Sequence, residues 1–120
     1  MKGLSLFSSA GIGETYLSEI GIDIIVANEL IEKRANLHSK LFPNCNTICG
    51  DITNKEIFSK IIEASKGIDF IIASPPCQGM SIAGKNRDIE QMAQDSRNTL
   101  INYVFDAIEI LHPKYVLIEN

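Results

Sequence analysis

At 120 residues, with a formal net charge of −4, the chain is at most one domain and lacks the basic excess of a protein held to nucleic acid mainly by its own charge. Apolar content of 45% and charged content of 22% are those of a globular protein, and no apolar stretch is long enough to span a bilayer. Three cysteines, Cys45, Cys49 and Cys77, cannot all pair within one chain, and Met1-Lys2-Gly3 carries no secretory pattern, so the expected setting is cytosolic and the thiols reduced.

Leu4-Ser5-Leu6-Phe7 reads as a first strand. Residues 14–20 have helical spacing and stop at Gly21, which predicts a helix. Residues 22–28 (IDIIVAN) read as a second strand, and residues 30–41 as a charged helix halted by Phe42-Pro43. Residues 47–49 are a short third strand, and residues 54–65 a helix with Thr53 as its N-cap. After a turn at Lys66-Gly67, residues 68–73 (IDFIIA) are almost continuously apolar, as a central parallel strand buried on both faces should be. Residues 74–95 show no clear periodicity and contain Pro75-Pro76, Gly79 and Gly84; a loop of that length inside a compact domain is usually functional. Residues 96–111 form a helix with Leu100, Ile101, Val104, Ile108 and Leu111 on its apolar face, ended by His112-Pro113, and residues 115–118 a fifth strand. Strands alternating with helices predict an α/β fold, a parallel sheet of five strands covered on both faces.

Ligands of such folds bind at the carboxyl ends of the strands, and the unusual residues gather there. Phe7-Ser8-Ser9-Ala10-Gly11-Ile12-Gly13 joins the first strand to the first predicted helix, and its small residues let backbone N–H groups approach a ligand. Glu29, with Leu30 after it, ends the second strand, where a carboxylate typically accepts hydrogen bonds from ribose hydroxyls. Asp51, in Gly50-Asp51-Ile52, is placed to face an adenine edge. These features point to an adenosine-containing ligand without separating a dinucleotide from S-adenosylmethionine.

Ser74-Pro75-Pro76-Cys77-Gln78-Gly79-Met80-Ser81 comes after the fourth strand. Two prolines fix successive φ angles, so the loop leaves the sheet in one direction and aims Cys77, whose thiolate is a strong nucleophile, at a defined point. Cys45 and Cys49 are not spaced as zinc ligands, so no metal is expected and both read as structural. His38 and His112 are expected at the surface or at helix ends rather than in catalysis.

Taken together, LFSSAGIGE (residues 6–14), Asn28-Glu29, Gly50-Asp51-Ile52, PPCQGMS (residues 75–81), DSRNTL (residues 95–100) and Glu119-Asn120 resemble the cytosine-5 DNA methyltransferases, in order and in spacing, over the whole chain. Ser9 departs from the pattern, standing where the family usually has a glycine. The resemblance implies a Rossmann-like S-adenosylmethionine-dependent methyltransferase fold. It implies a cofactor site at Phe7, Ser8, Ser9, Ala10, Gly11, Ile12, Glu29, Leu30, Asp51, Ile52, Pro75 and Asn120. It also implies Cys77 as nucleophile toward cytosine carbon 6, Glu119 as the acid at ring nitrogen 3, and Gln78, Ser81, Lys85 and Arg87 as contacts to double-stranded DNA. Family members continue beyond a fifth strand into further motifs and a target-recognition domain. The chain is therefore expected to be the N-terminal part of a catalytic domain, from a split enzyme, a truncated product or an engineered fragment. By itself it is expected to bind the cofactor weakly and not to methylate DNA, a second chain being one source of the rest. An RNA cytosine-5 methyltransferase, a non-catalytic cofactor-binding fragment and a nicotinamide dehydrogenase stand as rival readings.

Overall fold

The computed structural model describes residues 1–76 and 99–119. Five parallel strands, β1 (Lys2–Leu6), β2 (Asp23–Glu29), β3 (Asn46–Cys49), β4 (Phe70–Ala73) and β5 (Tyr115–Ile118), form one sheet in the order β3-β2-β1-β4-β5. Among the described residues three α-helices accompany it, α1 (Glu32–Leu41), α2 (Lys55–Ala64) and α3 (Leu100–Leu111). The chain builds outward from β1 to β3, then returns to the other side of β1. Because parallel crossovers are right-handed, that reversal puts α1 on one face of the sheet and α2 and α3 on the other. The reversal lies between β1 and β4, where α/β sheets open a crevice at their carboxyl ends.

The two central strands are the most buried: all of β4 is buried, as is β1 apart from Lys2. Leu4, Leu6, Val26, Ile61, Ile71 and Val104 are at most 2% exposed and form the centre of the core. Across the α2–α3 contact, Phe58 and Tyr103 meet edge to face with ring centroids 5.9 Å apart.

Several sequence expectations need correction. Residues 14–20 form no α-helix; the segment makes two 3-10 turns, Ile12–Glu14 and Leu17–Ile20. Of the apolar residues in that segment, Tyr16 and Ile20 are 71% and 73% exposed, so they bury too little surface to hold a helix together. The Thr15 hydroxyl also donates to the carbonyls of Gly11 and Ile12, competing for the local backbone. The N-cap of α2 is Asn54, not Thr53: Asn54 Oδ1 accepts from the N–H groups of Glu56 and Ile57 at 2.9 and 3.2 Å. Thr53 is already engaged, its N–H and hydroxyl both donating to Asp51 Oδ1. His38 is not a surface residue but fully buried, whereas His112 does end a helix, in the left-handed region at φ 49°. Strand and helix ends otherwise shift by one or two residues. The predicted loop and final helix are described only through residues 74–76 and from residue 99 onward.

β5 is an edge strand. Its four residues, Tyr115, Val116, Leu117 and Ile118, are 40–59% exposed, and among the described residues β4 is its only partner.

Candidate active site

A cavity of about 350 Å³ opens at the carboxyl ends of the strands. Phe7 and Ser9 reach it from the loop after β1, Glu29, Leu30 and Ile31 from the end of β2, Gly50, Asp51 and Ile52 from beyond β3, and Ser74 and Pro76 from beyond β4. Six of the residues predicted for the cofactor thus share one wall system: Phe7, Ser9, Glu29, Leu30, Asp51 and Ile52. The volume is at the lower end of the range for small-molecule sites.

Glu29 organises this cavity. It is 6% exposed, and each carboxylate oxygen accepts from a backbone N–H: Oε2 from Ser9 at 2.8 Å, Oε1 from Ile31 at 3.1 Å. The first bond ties the β1 loop to the tip of β2; the second turns the chain into α1. A carboxylate has about four acceptor positions, so two remain for a ligand's hydroxyls. Beside it, buried Asn28 donates through Nδ2 to the carbonyls of Ile48 (2.9 Å) and Gly50 (3.1 Å), fixing the loop that carries Asp51.

The β1 loop bends sharply to reach Glu29. Phe7 and Ser9 both hold positive φ, at 57° and 54°. That region is costly for side chains other than glycine, and its occurrence twice in three residues at a cavity wall marks a conformation held by its surroundings. Gly11, at φ 86°, faces away from the cavity: a Cβ there would strike the Phe42 ring and approach His38 Cδ2 at 3.0 Å. Ser8 is buried, its N–H and hydroxyl both directed at the carbonyl of Asn28. Ala10 and buried Pro75 do not line the cavity, and Ile12 is 82% exposed.

Asp51 combines a local and an outward role. Oδ1 closes a turn onto Thr53, while Oδ2 has no partner among the described residues. Phe7, Leu30 and Ile52 supply apolar surface, and Glu29 and Asp51 supply acceptors. Glu119 lies past the end of β5, where its N–H donates to the carbonyl of Ala73 at 2.9 Å. Its backbone is therefore one strand spacing from the root of the proline loop. Cys77, Gln78, Ser81, Lys85, Arg87 and Asn120 lie outside the described residues.

The profile of the C-5 cytosine-specific DNA methylases matches residues 1–120. The chain belongs to this family. Among curated relatives, the type II methyltransferase M1.HgaI of Avibacterium volantium is 62% identical over 122 residues, covering 100% of this chain and 34% of that protein. M.FnuDI of Fusobacterium nucleatum, also a type II methyltransferase, is 37% identical over 120 residues, covering 100% of this chain and 32% of that protein. A crystal structure described as a DNA modification methyltransferase encoded within an Escherichia coli prophage superposes with a TM-score of 0.75 at 28% identity, over 98% of this chain and 31% of that one. The chain thus spans about a third of the length of these relatives.

This methylase chain also carries site residues that sequence reasoning passed over. Arg34 lines the cavity from the first turn of α1, and Leu100 lines it from the start of α3. Arg34 looked like one charge among several on a polar helix, but it comes three residues after Ile31 and shares its face; that spacing was the available signal. A second hollow, of about 530 Å³, lies at the opposite end of β2, between residues 22–25 and 41–45. It is larger but remote from the strands' carboxyl ends. Half-buried Cys45 lines it, its thiol pushed up to about 11 by burial and then by the Glu14 carboxylate, against a lowering hydrogen bond from Thr47. Such a thiol is a poor nucleophile at neutral pH. Among the described residues no group of three potential metal ligands occurs, and no helix is long and apolar enough to cross a membrane.

Proposed function

We propose that this chain is the cofactor-binding and nucleophile-bearing part of an enzyme that transfers a methyl group from S-adenosylmethionine to carbon 5 of cytosine in double-stranded DNA. The observation that carries the reading is the cavity that gathers Phe7, Ser9, Glu29 and Asp51 beside the root of the loop leading to Cys77. Glu29 would hold the ribose hydroxyls and Asp51 the adenine amino edge, with Leu30 and Ile52 against the ring faces. The bound cofactor supplies an electrophilic methyl group.

Cytosine carbon 5 is too weak a nucleophile to take that methyl unaided. Attack by the Cys77 thiolate on carbon 6 breaks the ring's aromaticity, and protonation of nitrogen 3 by Glu119 accepts the displaced electron pair. Carbon 5, made nucleophilic in this way, would accept the methyl that the cofactor supplies from its sulfonium sulfur, releasing S-adenosylhomocysteine, and the nitrogen 3 proton would return to Glu119. A base removes the carbon 5 proton, the pair reforms the 5,6 double bond, and Cys77 leaves as thiolate. The target base must first leave the helix stack, and Gln78, Ser81, Lys85 and Arg87 are the residues proposed to meet DNA. The remaining two-thirds of the relatives' length, on the same chain or on a second one, would supply the target-recognition part and most of the positive charge that DNA binding needs. A cytosolic location fits this role.

The test is titration of the chain with S-adenosylhomocysteine and, separately, NAD. Saturable binding of the first, weakened at least about tenfold by Glu29→Ala, supports the reading. Preference for NAD sinks it. Trapping on 5-fluorocytosine DNA, with the rest of the enzyme supplied, then tests the thiol: a covalent adduct lost in Cys77→Ser is expected, and persistence of the adduct refutes the assignment.

A further inference from the structure

On the far side of the β1 loop from the cavity, three elements meet through one buried polar chain. Glu14 Oε2 and His38 Nε2 lie 2.8 Å apart with side chains 3% and 0% exposed, and His38 Nδ1 lies 2.8 Å from Thr47 Oγ1. Glu14 belongs to the β1 loop, His38 to α1 and Thr47 to β3, so the chain links the three segments whose other ends wall the cavity. Glu14 Oε1 is buried without a partner among the described residues, which leaves the imidazole as the one strong partner of that carboxylate there. An ionised carboxylate can only accept, so in that state Nε2 is the donor of this bond. A buried polar link that is not fully satisfied is an expensive way to fill a core, and neutral apolar side chains of similar size would pack at less cost.

The local geometry indicates what the link does. Gly11 leaves just enough room for the Phe42 ring and His38 to sit against the loop, and the His38 and Phe42 rings meet at a tilt of 34° with centroids 4.8 Å apart. The Glu14 N–H donates to Gly11 O, the Gly11 N–H to Ser8 O, and the Ser9 N–H to Glu29 on the cavity side. The loop is therefore clamped from both sides while Phe7 and Ser9 are held at positive φ.

We propose that Glu14, His38 and Thr47 are positioning residues for the cofactor: they hold the β1 loop in the conformation that presents Ser9 and Glu29 to the ligand. This rests on the reading of the cavity as the cofactor site. The decisive variant is Glu14→Leu with His38→Phe, which removes the buried charge and its partner together and so avoids stranding either. Thr47→Val, which cuts only the link to β3, serves as the second variant should the first not fold. His38→Gln, whose amide still donates to Glu14, is the conservative replacement. Each is measured for thermal unfolding, for S-adenosylhomocysteine affinity and for amide hydrogen exchange at Ser9, Gly11 and Glu14.

The expected result is a folded double variant, or Thr47→Val in its place, that binds about tenfold to a hundredfold more weakly than the parent chain. Its loop amides exchange faster while those of β1 and β4 do not change, and His38→Gln recovers part of the affinity. A folded variant with parental affinity and unchanged loop exchange overturns the proposal, because a mere core filler would behave that way. Should the parent chain bind no S-adenosylhomocysteine, the cavity reading fails on its own. The exchange arm then still decides whether the triad holds the loop.

Discussion

Ser9 offers a direct test of how the cofactor loop is built. Its φ of 54° lies in the left-handed region, which costs a residue with a side chain roughly 1–2 kcal/mol. Ser9→Gly removes that cost. It also gives back part of the gain, because glycine loses more backbone freedom on folding, by roughly 0.5–1 kcal/mol. The Ser9 interaction that shapes the site is a main-chain one, the N–H to Glu29 Oε2 at 2.8 Å, and glycine keeps it. The net expectation is a stabilisation of about 0.5–1 kcal/mol, which for a domain of this size raises the unfolding midpoint by roughly 2–5 °C. Ser9→Val makes the opposite change, since a β-branched side chain is worse still at positive φ. Thermal unfolding monitored by circular dichroism reads both. A lower midpoint for Ser9→Gly, or a Ser9→Val variant as stable as the parent, would show that the loop does not hold the conformation described and would remove the basis for reading it as strained against Glu29.

The same structure sets other outcomes. Asn54→Ala deletes the side chain that caps α2 and should cost about 1 kcal/mol, seen as a lower midpoint in urea with an unchanged slope; Thr53→Ala should cost less. Alkylation and mass spectrometry at pH 8 should show exposed Cys49 labelled well before Cys45, whose thiol is held protonated up to about 11. Because the folded state raises that value above the ordinary thiol's 9.0, Cys45 contributes stability fully below pH 9, and the contribution is lost as pH rises from there toward about 11. Cys45→Ser should flatten that alkaline decline; a decline of equal steepness would mean another group is responsible. Replacing Leu117 with Lys on the exposed strand should leave the core intact, with an unfolding free energy from urea titration within about 0.5 kcal/mol of the parent's.

Much of the fold was legible because parallel sheets write themselves plainly. The nearly unbroken apolar run at residues 68–73 announced a central strand, of which residues 70–73 are strand, and residues 9, 29, 51, 74 and 76 could be assigned to one edge from the order of elements alone. The failures have physical causes. Residues 14–20 have helical spacing, but Tyr16 and Ile20 are exposed, and periodicity cannot tell an apolar stripe that packs from one that does not. Thr53 and Asn54 are both good caps; the choice fell to Asn54 because Asp51 had engaged Thr53 first, a competition visible only in three dimensions. His38 sits in a polar helix with nothing nearby in sequence to suggest burial, since its partners lie 24 and 9 residues away. Glu29 was legible as a carboxylate at the strand-end cavity, yet its grip on the backbone of Ser9 and Ile31 was not, because main-chain donors leave no trace in side-chain identity.

The outer edge of β5 bears on how this protein must be handled. A strand with four half-exposed apolar side chains and, among the described residues, an unmatched row of peptide groups is a template for any extended chain that drifts past it. Dilution and companionship, not sequence alone, will therefore decide its state. At low concentration the edge stays wetted, whereas crowding favours adhesion between copies unless a proper neighbour arrives first. Production of these 120 residues by themselves should therefore show aggregation that rises with concentration.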